Sequence, residues 1–116
     1  MQLDNLQKFQ EWVNDYTAEL YPSYFDCDRS QQRQICLSLL IEEMGEAAKE
    51  MRKFEGRKYK GPEEASLESI EEELGDTFVI LVKLFNVYGI SVSDAVQRVV
   101  NKLEGRRENV RRKGSF

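Results

Sequence analysis

Ile35-Cys36-Leu37-Ser38-Leu39-Leu40-Ile41-Glu42-Glu43-Met44-Gly45-Glu46-Ala47 reads as an apolar helix with acids standing where leucine belongs. A second stretch, Glu73-Leu74-Gly75-Asp76-Thr77-Phe78-Val79-Ile80, repeats the pattern. With Glu43 at zero on a wheel of about 100° per residue, Leu39, Cys36, Ala47 and Phe54 fall within about 40° and Leu40 within about 60°. Glu46 lies about 60° to the other side, next to Leu39 and Ile35; Glu50 shares the face one turn on, and Glu42 sits at its margin. With Glu73 at zero, Thr77, Ile80, Leu84 and Val87 fall within about 40°, and Asp76 about 60° away. Carboxylates buried beside isoleucine and leucine are expensive unless a cation neutralises them. The pattern therefore says which helix faces pack together and where chemistry is expected.

Four helices follow outward from these two stretches. The first covers about Asp4 to Leu20, with Leu3, Leu6, Phe9, Val13 and Tyr16 at threes and fours and Asp4 as a candidate N-cap. Tyr21-Pro22-Ser23 closes it, because proline turns the preceding residue away from helical geometry. The second runs from near Ser30 to about Phe54 and ends in the turn-prone Gly56–Pro62 stretch. The third begins near Ser66 or Ser69, where Ser69-Ile70-Glu71-Glu72 has capping-box spacing, and stops at Gly89 after Tyr88. Ser91-Val92-Ser93-Asp94 opens a fourth that reaches about Arg112. No hairpin signal, repeat or second domain interrupts this series. The expectation is an all-α, antiparallel four-helix bundle, a single domain over residues 1–116 with a basic tail from about residue 107.

At 116 residues the chain is long enough for a genuine core, and 33% charged against 41% hydrophobic residues is a globular balance. The net charge of −4 argues against a dedicated DNA-coating protein, although Arg98 to Lys113 carries seven basic residues against two acidic ones. Cys27 and Cys36 make no disulfide framework, and the N-terminus has neither a basic nor an apolar leader segment. No run approaches the roughly 20 apolar residues of a membrane span. A cytoplasmic protein is expected, with no membrane partner.

The chemistry of the acidic face is narrowed by what is missing. The chain contains no histidine. Di-iron bundles built on Glu-x-x-His and histidine-ligated zinc sites are excluded in their usual forms. Four carboxylates, Glu43, Glu46, Glu73 and Asp76, suit a hard ion, Mg2+ first and Mn2+ second, and Mg2+ tends to be completed by substrate phosphates. A lone ExxE is most often a solvated helix face, which is how Glu63, Glu64, Glu68, Glu71 and Glu72 read. Two such pairs inside apolar stripes on consecutive helices point instead to a site.

Glu42-Glu43-Met44-Gly45-Glu46 followed 27 positions later by Glu73-Leu74-Gly75-Asp76 resembles the EExxE…ExxD signature of MazG-like nucleotide pyrophosphohydrolases, within the all-α NTP pyrophosphatase superfamily. The resemblance covers roughly Gln32 to Arg112. It implies Mg2+-dependent hydrolysis of a nucleoside triphosphate to monophosphate and diphosphate, in a homodimer or homotetramer that completes the bundle. By position it implies Glu43, Glu46, Glu73 and Asp76 as metal ligands and Glu42 as an additional acid. Asn101, Lys102 and Arg106 resemble the basic end of the family's site. Either Glu42 or Glu46 can accept the proton of the attacking water, and Lys102 and Arg106, one turn apart, can neutralise phosphates. Trp12 or Phe54 is a candidate to stack on the base. Competing readings are a non-catalytic helical interaction module, nucleic-acid binding through the basic tail, and the related dUTPase or phosphoribosyl-ATP pyrophosphohydrolase activities.

Overall fold

The computed structural model describes residues 5–56 and 65–114. The expected turn at Gly56–Pro62 falls outside these beyond Gly56, as do Leu3, Asp4, Glu63 and Glu64. Five helices follow in order: α1 (Leu6–Leu20), α2 (Pro22–Asp26), α3 (Arg29–Glu55), α4 (Leu67–Tyr88) and α5 (Val92–Lys113). No strand occurs among the described residues.

Each long helix is started by a side chain that satisfies an otherwise unpaired backbone N–H. Asn5 Oδ1 accepts from Lys8 N at 2.8 Å, so the first cap is Asn5 rather than Asp4. Asp28 and Gln31 form a reciprocal box at the head of α3. At α4 the box pairs Ser66 with Ser69, three residues upstream of the expected Ser69–Glu72 box. Ser91 caps α5 as expected, accepting from Asp94 N. Gly89, at φ 67°, stops α4 in the left-handed region where a side chain would be strained. The short α2 was not foreseen. Proline ends a helix before it but is also favoured in the first turn of a new one, and a single turn shows no periodicity. Residues 107–113, expected as a basic tail, are the last two turns of α5.

The long helices α3 and α4 lie side by side and antiparallel. Arg29 at the head of α3 donates to the carbonyl of Val87 near the foot of α4 at 3.2 Å, and the Arg33 guanidinium lies over the Tyr88 ring. Helix α1 packs across α4, where Val13, Val82 and Val92 form the buried cluster with Leu6, Phe9, Val79 and Phe85 around it. Gln10 latches this end. Its side chain donates to Asn86 Oδ1 and to the Ile90 carbonyl and accepts from Val92 N, at 2.7–3.0 Å.

Helix α5 leaves at a 101° bend from α4 and packs chiefly on α1. The radius of gyration is 18.3 Å, against about 13 Å for a compact chain of this length. No single described helix is long and apolar enough to cross a membrane.

Candidate metal centre

Half-way along the α3–α4 pair, the two acidic motifs meet. Glu43 from α3 and Glu73 and Asp76 from α4 each bring a carboxylate oxygen within 4.8 Å of the other two. The i, i+3 spacing puts Glu73 and Asp76 on neighbouring positions of one helix face, so one turn of α4 and one of α3 suffice to build the cluster. Around it the wheel holds: Cys36, Ala47 and Val87 are buried, and Leu39, Thr77, Ile80 and Leu84 are half-buried. Phe54 departs from it, standing exposed near the end of α3.

Charge is unbalanced here. Among the described residues, the buried Glu43 Oε2 and Glu73 Oε2 find no hydrogen-bond donor, and no lysine or arginine pairs with Glu43, Glu46, Glu73 or Asp76. Burial first, then the charges of Glu46, Asp76 and Glu73, with Glu42 last, raise the Glu43 carboxyl above its ordinary range. For Glu73 burial again leads, followed by Glu46, Asp76, Glu50 and Glu72. A buried acceptor with no partner is costly, and more so when charged. An all-oxygen donor set whose innermost oxygens lack donors fits a hard divalent cation.

The other expected residues stand further off. Glu46 is exposed and outside the three-carboxylate cluster, although its charge is the largest neighbouring influence on both Glu43 and Glu73. Glu42 is exposed at the rim, and Glu50 is half-buried and paired with Lys53 at 3.5 Å. Trp12 lies in an aromatic row on α1, stacked between Phe9 and Tyr16, with Phe78 beyond Phe9. Phe78 is about 140° round α4 from Glu73, so the row faces away from the acids.

Asn101, Lys102 and Arg106 are exposed on α5, and Asn101 accepts from Gln97. From Asp76 to the end of α4 is about 20 Å and from the start of α5 to Lys102 about 15 Å. At the 101° bend that leaves Lys102 more than about 20 Å from Asp76, so one chain does not bring its own α5 cations to its own carboxylates.

Sequence reasoning missed a groove. Next to the acids, a cleft of about 570 Å3 is lined by Tyr21, Tyr24, Ile35, Leu39, Ile80 and Lys83, among others. Tyr24 and the fully buried Cys36 share a hydrogen bond at 3.1 Å. Burial, then that bond, pushes the phenol above its ordinary range, so it remains a neutral hydroxyl. The available signal was Lys83, a lone cation in the apolar run Phe78–Phe85 and seven residues beyond Asp76, hence on the same face.

Known proteins resemble this chain in sequence and in fold. The profile of the MazG nucleotide pyrophosphohydrolase domain matches residues 31–111. YpjD of Bacillus subtilis is 34% identical over 101 residues, 87% of this chain and 85% of its own. The Gene 37 protein of Mycobacterium phage L5 is 28% identical over 89 residues, 77% of this chain and 78% of its own. The crystal structure of YpjD superposes with a TM-score of 0.70 at 32% identity, covering 88% of this chain and 97% of that one. With the family profile spanning both acidic motifs and the sequence between them, the chain belongs to the MazG nucleotide pyrophosphohydrolase family.

Proposed function

We propose that this protein is a Mg2+-dependent nucleoside triphosphate pyrophosphohydrolase that converts a (d)NTP and water to the (d)NMP and diphosphate. The observation that carries the reading is the set of three converging carboxylates with two buried, donor-less oxygens. YpjD, provisionally described as a pyrophosphatase, supports it from the side of the relatives.

Glu43, Glu73 and Asp76 hold the ion, with Glu46 completing the acidic face; Mn2+ can substitute. When bound, the ion supplies positive charge to the phosphate oxygens and lowers the pKa of water. Water adds to the α-phosphorus and the α–β P–O bond breaks, its electron pair leaving with diphosphate. Glu46 or Glu42, exposed and less committed to the ion than Glu43 and Glu73, accepts the water's proton.

The bundle is completed by further copies, as a homodimer or homotetramer. Leu37, Ile41, Met44 and Met51 make an exposed apolar seam on α3, and Leu67, Leu74, Leu81 and Tyr88 make another on α4. The accessible surface is 9056 Å2, about 2,500 Å2 more than a compact chain of this mass exposes, and obligate dimers bury surface on that scale. Asn101, Lys102 and Arg106 then meet the triphosphate of a neighbouring copy, and the nucleotide pools of the cytoplasm are its substrate. Nucleic acid is not a partner in this reading.

The test is a full panel of NTPs and dNTPs, modified bases included, assayed with Mg2+ for diphosphate against orthophosphate. Diphosphate from at least one nucleotide is expected; none from any sinks the proposal. Light scattering on the active species checks the assembly, and an active monomer would remove the role given to α5.

A further inference from the structure

The carboxylates and the groove lie on the same faces of α3 and α4, one turn apart. On α4, Asp76, Ile80 and Lys83 follow at i, i+4 and i+7; on α3, Glu43, Leu39 and Cys36 run the same way in reverse. Leu39 and Ile80, which line the groove, are each one turn from a carboxylate of the cluster. The rise from Asp76 to Lys83 is about 10.5 Å, close to the length of a nucleoside from its α-phosphate to the outer edge of its base.

The groove's chemistry is specific. Ile35, Leu39 and Ile80 give it apolar walls suited to a flat ring, and its volume of about 570 Å3 is of the size that holds a small molecule. Lys83 is its one cation among the described residues. Lys83 is half-buried, its ammonium lies 5.4 Å from the centre of the Tyr21 ring, and it has no carboxylate partner among the described residues. A triphosphate would need several donors, and this cleft offers few.

We infer that the groove takes the nucleobase and that Lys83 donates a hydrogen bond to a carbonyl oxygen at C4 of a pyrimidine or C6 of a purine. The preferred substrates are then keto-bearing nucleotides: uracil or thymine over cytosine, hypoxanthine or guanine over adenine. This assignment rests on the reading of the carboxylates as the triphosphate site. An ammonium has three donors and no acceptor. A base with an amino group at that position brings donor against donor and leaves both unpaired, and such a mismatch rejects a substrate more sharply than lost apolar contact does.

The experiment compares kcat/KM for diphosphate release from dUTP against dCTP and from dITP against dATP, pairs that differ in that exocyclic group and in the proton on the ring nitrogen beside it. The keto member of each is favoured by about tenfold or more, chiefly through KM. Lys83→Met lowers the keto rates by about tenfold and leaves the amino rates within about twofold. Lys83→Gln, whose amide both donates and accepts, brings each ratio near one. Circular dichroism and the Mg2+-induced thermal shift verify that both variants keep the helices and the metal centre. If Lys83→Met does not fold, the wild-type ratios and Lys83→Gln decide alone. Equal rates within the wild-type pairs, or an equal loss of both members on substitution, overturn the base assignment while leaving the hydrolase standing. No diphosphate from any nucleotide overturns both.

Discussion

Two of the places where this molecule buries polar groups treat them oppositely. At the α1–α4–α5 junction every polar contact of Gln10 is answered: its amide nitrogen reaches Asn86 and the Ile90 carbonyl, and its oxygen takes the Val92 N–H. Half-way along α3 and α4, Glu43 and Glu73 each bury an oxygen that no donor among the described residues meets. A satisfied buried network fixes geometry, whereas an unsatisfied one is a liability kept for a reason. The first belongs to the fold. The second, on the function proposed above, is the place of the ion.

The largest effect that tests this contrast is on turnover. Glu43→Gln or Asp76→Asn preserves shape and removes one ligand charge. Either is expected to cut diphosphate release by roughly 100-fold or more, since even groups that merely support a metal ligand cost 10–100-fold. The same variants without metal should melt above the wild type at neutral pH, because a repulsive charge is gone. Wild-type protein at 100 times the dissociation constant for Mg2+ gains about 2.7 kcal/mol, read as a rise of several degrees in melting temperature; the variants should lose most of that rise. Turnover at wild-type rates in both variants, with the metal shift intact, would show that the site lies elsewhere.

The opposite result is expected at the junction. Gln10→Ala strands a buried N–H at Val92 and leaves Asn86 and Ile90 without their donor, a loss of about 2 kcal/mol or more. Denaturant unfolding should report it with and without metal, while the Mg2+-dependent gain stays the same. If Gln10→Ala abolished the metal shift instead, the two regions would be coupled and the separation drawn here would fail.

The two regions also differ in how legible they were. Glu43, Glu73 and Asp76 could be brought together from the sequence because helix periodicity is rigid: once α3 and α4 pack through their apolar stripes, residues on the stripe must meet. Gln10 could not. A glutamine among polar neighbours on an amphipathic helix reads as solvated, and only the turn at Gly89–Ser91 brings Val92 back to it. Lys83 was missed for a related reason, because the groove depends on α2, a single turn with no periodic signal. The side chains of α5 were legible as a basic set, but their distance from the carboxylates follows from the α4–α5 bend, which no wheel contains.

The smallest effect is the pH dependence of stability, and its sign separates the two regions most cleanly. Glu43 and Glu73 have raised carboxyl pKa values in the folded chain, through burial and then neighbouring acids. Between the ordinary glutamate value and the raised ones, the folded state binds more protons than the unfolded state. The slope of unfolding free energy against pH is then negative. Stability without metal is therefore greatest below the ordinary value and declines as pH rises through the raised values, the reverse of a salt-bridged acid. Bound Mg2+ competes with those protons, because its ligands must be deprotonated, so the gain from metal grows over the same interval and flattens or reverses the decline. Glu73→Gln should remove its share of the slope in metal-free protein, whereas Gln10→Ala should lower the whole curve and leave its shape unchanged. Urea unfolding from about pH 4.5 upward reads both. A metal-free wild type whose stability rose steadily with pH across that interval would mean that the carboxylates are already neutralised within the chain, and the acidic face would lose its claim to a cation.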